Sequence, residues 1–158
     1  MEEILYINDI NKFNTFIVSL ILNPLNKYKM NIWNENAISG IDYSDFDLVI
    51  TNPPYNATTN RGSNYYKAFI EQFSTTTQMV IVPNNWRNET LHDRLIYCKM
   101  YSKNNNIFKI NSGMQIDIIM LSTKPCETHT VVYQNNVEKI YTNTNYTLSN
   151  MYSDNIPK

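Results

Sequence analysis

The run Asp47-Leu-Val-Ile-Thr-Asn52-Pro-Pro-Tyr55 constrains this chain more than any other segment. Leu48 to Ile50 is an apolar stretch of strand length, and Pro53 and Pro54 end it. Neither proline continues a helix, and both keep the backbone extended with its carbonyls turned outward. Asn52 adds a side-chain carbonyl and Tyr55 an aromatic face. Together they suit one task, holding a planar, nitrogen-bearing group by its polar edge and its flat side. A loop at the carboxyl end of a strand is also where open α/β sheets seat their ligands.

The remaining periodicities predict such a sheet. Ile4 to Ile7 reads as a buried strand running into Asn8 and Asp9. Phe13, Phe16, Ile17, Leu20 and Ile21 share one helical face and read as core, with Asn11 as cap and Pro24 as stop. Asn31 to Trp33 and Leu48 to Ile50 read as further strands. Tyr66, Phe69, Ile70 and Phe73 mark a helix that starts at Ser63 or Asn64. Met79 to Val82 is the fourth strand, ending in Pro83-Asn84-Asn85-Trp86, where Trp86 reads as a loop packing residue. Asn88 is expected to cap a third helix carrying Leu91, Leu95 and Ile96. Ile107 to Ile110 and Ile116 to Leu121 read as late strands about a turn at Ser112-Gly113. Val131 to Gln134 and Val137 to Tyr141 flank Asn135-Asn136 in a candidate hairpin. The tail beyond Asn143 is polar and reads as loose. Strands alternating with helices give parallel βαβ units, and two adjacent late strands suit a sheet edge with an antiparallel member.

Bulk properties narrow the function classes. At 158 residues with a net charge of −1, the chain has one domain's length and no strong basic field. Contacts with nucleic-acid phosphates must then be local or come from a partner. Cys98 and Cys126 form no close-spaced pair, which argues against a zinc site and a disulfide framework. His92 and His129 stand alone and read as surface residues, so no metal set is expected. Asp42, Asp45 and Asp47 read as solvated turn acids. The apolar stretch Phe16 to Leu22 is far short of the roughly 20 residues of a membrane span. The acidic Met-Glu-Glu start is unlike a signal peptide. The chain reads as cytoplasmic.

The chemistry of an aryl amine explains why this loop is informative. Such a nitrogen is a poor nucleophile because its lone pair is delocalised into the ring. Acceptors on both N–H bonds favour a pyramidal nitrogen with the pair freed, and Asn52 Oδ1 and the Pro53 carbonyl are candidates for the two. Tyr55 can stack on a base flipped out of the duplex. No general base with a shifted pKa is needed against an activated methyl donor, so proximity and alignment supply much of the rate.

Asp-Leu-Val-Ile-Thr-Asn-Pro-Pro-Tyr resembles the catalytic motif of N6-adenine-specific DNA methyltransferases, in the class whose cofactor motifs come first. The likeness extends over residues 4 to 124. Leu5-Tyr-Ile-Asn-Asp9-Ile10-Asn11 resembles the second cofactor motif. That implies that Asp9 takes the ribose hydroxyls of S-adenosylmethionine and Ile10 lies beside its adenine. Ile32-Trp-Asn-Glu-Asn36-Ala37 resembles the third motif, with Asn36 where an acid usually accepts from the cofactor's adenine amine. Tyr65 to Ile70 and Met79 to Trp86 resemble the helix and strand after the catalytic loop. Gln115 to Leu121 resembles the late strand preceded by a base-contacting residue, a place taken here by Met114.

The resemblance implies a Rossmann-like methyltransferase sheet, mostly parallel with one antiparallel late strand, and DNA as partner. It also carries a departure. Such enzymes place a glycine-bearing loop before the second motif, where a Cβ would clash with the methionine part of the cofactor. Here the second motif lies beside Met1, and Gly40, Gly62 and Gly113 are far apart. The expectation is a core at 1–124 that is incomplete at its N-terminus and lacks a target-recognition domain, followed by a hairpin and polar tail at 125–158. A second polypeptide or self-association would complete the sheet, because a missing central strand leaves unpaired edges. Two other readings compete. One is an inactive methyltransferase-like binding module. The other is methylation of a protein glutamine or an RNA adenine, which the same four residues serve in related enzymes.

Overall fold

A computed structural model of the protein describes residues 4–38, 42–55, 64–88, 91–101, 115–132 and 136–142. The chain divides into two compact units, Met1–Asp42 and Tyr43–Lys158.

The first unit is a single βαβ: β1 (Ile4–Asn8), α1 (Lys12–Leu22) and β2 (Lys29–Trp33). β1 and β2 pair in parallel, from Ile4 opposite Lys29 to Asn8 opposite Trp33. α1 begins at the expected cap, where the Asn11 side chain accepts from the Phe13 amide at 2.9 Å. Asn23 closes the other end. Its Nδ2 donates to the Tyr28 carbonyl at 2.9 Å and its Oδ1 accepts from the Tyr28 amide at 3.1 Å. Asn26, inside that loop, takes a φ of 51°, a left-handed conformation that asparagine tolerates. The apolar face of α1 is not core, contrary to its periodicity. Phe13 is 66% exposed and Phe16 55%, and Thr15 is the helix's buried residue. A two-stranded sheet has too little surface to cover that face.

The second unit holds α2 (Tyr65–Gln72) and six strands: β3 (Leu48–Thr51), β4 (Thr77–Pro83), β5 (Leu95–Met100), β6 (Ile116–Leu121), β7 (Thr128–Val132) and β8 (Glu138–Thr142). Their order is β3-β4-β6-β5-β7-β8. β3 runs parallel to β4, and β5 to β7; β6 is antiparallel to both its neighbours, and β8 to β7. Two strands are therefore reversed instead of one, and β6 is interior, not at the edge. The β7–β8 hairpin forms as its turn residues indicate, with Asn136 at a φ of 62°.

The expected third helix is replaced by a short 3₁₀ turn, Leu91–Arg94, followed by β5. Leu95, Cys98 and Met100 are buried there between β6 and β7. A register shift between Leu95 and Tyr97 breaks the strict alternation, which is why helical spacing matched. Ser63, Ile107 to Ile110, Ser112-Gly113, Asn135 and the tail beyond Asn143 lie outside the described residues.

The core joins Tyr66 and Ile70 of α2 to Val80, Val82, Ile119 and Leu121 of the sheet. Buried Gln78 donates to the Ile70 and Phe73 carbonyls at 3.0 and 2.8 Å, satisfying the end of α2 from within the sheet. His129 is buried, not a surface residue as expected. Its Nδ1–H donates to the Leu95 carbonyl at 2.6 Å, since a carbonyl only accepts.

Candidate active site

The Asn-Pro-Pro-Tyr loop leaves β3, an edge strand of the six-stranded sheet, paired with β4. Pro53 is buried and Pro54 exposed, so the prolines seat one side of the loop and leave the other open. Tyr55 folds back: its hydroxyl donates to Asn52 Oδ1 at 2.6 Å. Burial pushes the Tyr55 phenol above its ordinary value, so it keeps its proton and remains a donor near neutrality. The acceptor expected to hold an amine is thus engaged by a donor from three residues along. Leu48 and Ile50, on the strand leading in, are 45% and 68% exposed. The Thr51 hydroxyl is buried with no hydrogen-bond partner among the described residues.

The parallel register puts Thr51 opposite Val80, so β3 and β4 end on the same side of the sheet. β4 runs on into a 3₁₀ turn, Asn84–Asn88, and the start of β6 lies beside it, with Pro83 opposite Ile116. Beneath the turn is a buried charged cluster. Asp117 accepts from Trp86 Nε1 at 2.7 Å and from Arg87 Nε at 2.6 Å, and pairs with Arg87 Nη2 through its other oxygen. All three side chains are nearly or fully inaccessible. The same burial, with the Asp117 charge, pushes the Cys98 thiol well up, and Arg87 opposes this in part. Sequence reasoning missed Arg87 and Asp117 as partners. The available signal was an acid inside the apolar run Ile116-Asp117-Ile118, which a strand buried on both faces tolerates only when paired.

In the first unit, Asp9 lies just past β1. Its Oδ1 accepts from the Asn11 amide at 2.7 Å and its Oδ2 from Asn14 Nδ2 at 3.1 Å. Each oxygen retains a lone pair, and the residue is half-buried. Ile10 beside it is 72% exposed. Asn34 ties the strand ends together, donating to the Asp9 carbonyl at 3.1 Å and to the Thr15 hydroxyl at 2.9 Å. Asn36 Oδ1 accepts from the Ile38 amide at 3.2 Å, and Ala37 lies between the two. The structure thus gathers Asp9 and Ile10 at the end of β1, with Asn36 and Ala37 following β2. Met114 lies outside the described residues.

No family model matches the sequence, and no curated protein does. Solved structures do. A modification subunit assigned to a type I restriction enzyme of Vibrio vulnificus YJ016 superposes with a TM-score of 0.65 at 13% identity, over 99% of this chain and 42% of its own. The M protein of the type I restriction enzyme EcoKI gives 0.57 at 18% identity, over 82% and 35%. The type IIG restriction endonuclease BpuSI gives 0.59 at 15% identity, over 81% and 20%. The chain has a DNA methyltransferase-like fold. It spans less than half the length of each of these proteins, and at such identities the likeness concerns the fold alone. No described helix is long and apolar enough to cross a membrane. The described residues contain no group of three metal-ligating side chains.

Proposed function

We propose that this chain is part of a restriction–modification methyltransferase that transfers a methyl group to the N6 amine of adenine in DNA. The observation that carries the reading is the Tyr55–Asn52 bond. It supports the view that Asn52 Oδ1, at the mouth of β3, is an acceptor set out for a donor. On this reading Asn52 Oδ1 and the Pro53 carbonyl take the two N–H bonds of the amine, which localises the nitrogen lone pair. The Tyr55 ring swings from its hydroxyl contact onto the face of the flipped base. Pro54, exposed and rigid, keeps the loop's outline fixed while the tyrosine moves.

The residues present fit the adenosine half of S-adenosylmethionine. Half-buried Asp9 retains carboxylate lone pairs for the ribose hydroxyls, and Ile10 offers an exposed apolar surface for the adenine. Asn36 would exchange its bond to the Ile38 amide for one from the adenine amine, beside Ala37. When bound, the cofactor supplies an electrophilic sulfonium methyl group. No described residue is a glycine, so the seat for its methionine half is assigned to none of them.

The exposed edge of β3 favours an assembled form. Leu48 and Ile50 line a strand whose outer backbone groups would accept another strand. We assign that place to a strand from a second polypeptide or a second copy of this chain. Calorimetry with S-adenosylmethionine, on the chain alone and with a co-expressed partner, tests the cofactor. Transfer of labelled methyl groups to adenine-bearing DNA, lost in Asn52→Ala, tests the reaction. A partnered chain that binds no cofactor would favour the inactive binding module instead.

A further inference from the structure

The turn after β4 carries a polar pair that the amine grip leaves unused. The Asn84 amide donates to the Gln115 carbonyl at 3.1 Å, and Asn84 Nδ2 donates to Gln115 Oε1 at 3.0 Å. A carboxamide offers one carbonyl and two N–H bonds. The mutual bond uses one acceptor and one donor, leaving the Asn84 carbonyl and the Gln115 NH2 group without a further partner among the described residues. Exchanging oxygen and nitrogen in both amides reverses the bond and leaves the same two functions, so the conclusion does not depend on their assignment. Trp86, Arg87 and Asp117 lock the turn from beneath, so the amides stand on a rigid base.

Their position follows from the register. Thr51 faces Val80 on parallel strands. Tyr55 and Asn84 each stand four residues further along, at the same end of the sheet. β3, β4 and β6 are successive neighbours. At about 4.8 Å per strand, the start of β6 lies roughly 10 Å across from the line of β3.

We propose that the Asn84–Gln115 pair donates an amide N–H to the ring nitrogen beside the target amine. The inference rests on the adenine reading above. With Asn52 and Pro53 on the two amine N–H bonds, the polar atom left on that edge of adenine is N1 or N7, both acceptors. The pair is then a specificity-determining element: it rewards an amine flanked by a ring acceptor and gains nothing from one flanked by carbon.

The test uses the full chain, labelled with ¹⁵N, and a single-stranded deoxyoligonucleotide of thymines carrying one adenine. Side-chain amide signals of Asn52, Asn84 and Gln115 are followed by NMR, with an all-thymine strand as control. The adenine strand is expected to shift all three. Replacing adenine by its 1-deaza or 7-deaza analogue, whichever removes the contacted nitrogen, weakens binding about 2- to 10-fold, the size of one net hydrogen bond. Gln115→Ala and Asn84→Ala each erase that difference. If Asn52 shifts while Asn84 and Gln115 do not, or if both alanine variants keep the deaza discrimination, the inference is overturned and the amine grip stands. If adenine shifts none of the three beyond the thymine control, both fall together.

Discussion

Replacing Asp117 tests whether the buried cluster beneath the Asn84–Asn88 turn holds the second unit together. Asp117 is fully buried and Arg87 is 5% exposed, so neither charge is hydrated. Three donor contacts converge on the carboxylate, two from Arg87 and one from Trp86. Asp117→Ala leaves the guanidinium in the interior without its counter-ion, a loss of about 3–5 kcal/mol. The stranded indole N–H adds about 1 kcal/mol. A domain of this size holds about 5–15 kcal/mol in all, so the variant should lose between about a quarter of its stability and all of it. The double variant Arg87→Met with Asp117→Leu removes both charges and keeps apolar volume. It should be more stable than either single variant, and within about 1 kcal/mol of the parent or above it. Urea unfolding at pH 7, followed by tryptophan fluorescence with an unchanged slope, reads all five proteins: the parent, Asp117→Ala, Arg87→Met, Asp117→Leu and the double variant. An Asp117→Ala loss below about 1 kcal/mol, or a double variant equal to the sum of the singles, would refute the account.

Other outcomes follow from the same structure. Cys98 keeps its proton in the folded state well above its ordinary range, whereas the unfolded thiol loses it from about pH 9. Stability should therefore be full below that pH and fall by about 1.4 kcal/mol per pH unit above it; a Cys98→Ala variant with the same slope would contradict the cause. In the folded protein Cys98 should alkylate far more slowly than the less buried Cys126. Asn52→Ala removes the acceptor from the Tyr55 hydroxyl, so the Tyr55 ring signals should move in carbon-13 NMR; unchanged signals would mean the bond is absent. Ile50→Lys puts a charge on the open β3 edge and should reduce self-association in sedimentation velocity. Equal association by parent and variant would move the interface elsewhere.

What the sequence discloses and what it hides divide along one physical line. Local rules placed most elements. Asn11 was legible as a cap because a side-chain oxygen beside a bare helix start has one obvious use. Asn52 to Tyr55 was legible because two prolines stop a strand wherever they fall. Failures came where a residue's role depended on what lies across the sheet. Leu91, Leu95 and Ile96 have helical spacing, and only the pairing of Leu95–Met100 with β6 and β7 makes that segment a strand. His129 and Asp117 are polar residues whose burial depends on acceptors and donors 34 and 30 residues away.

Phe13 and Phe16 failed in the opposite sense. Their helical spacing describes a face that wants covering, and the first unit contains nothing large enough to cover it. The same reasoning applies to Leu48 and Ile50 on β3. Apolar periodicity encodes a requirement for burial, not its fulfilment, so two elements of correct type can both be left facing solvent. Exposure of that kind at a sheet edge costs free energy in an isolated chain and returns it on association, at roughly 25 cal/mol for each Å² covered. The Asn52–Tyr55 loop hangs from the strand that carries this cost. Whatever strand pairs with β3 would also fix the backbone that leads into Asn52, which couples completion of the sheet to the geometry of the site.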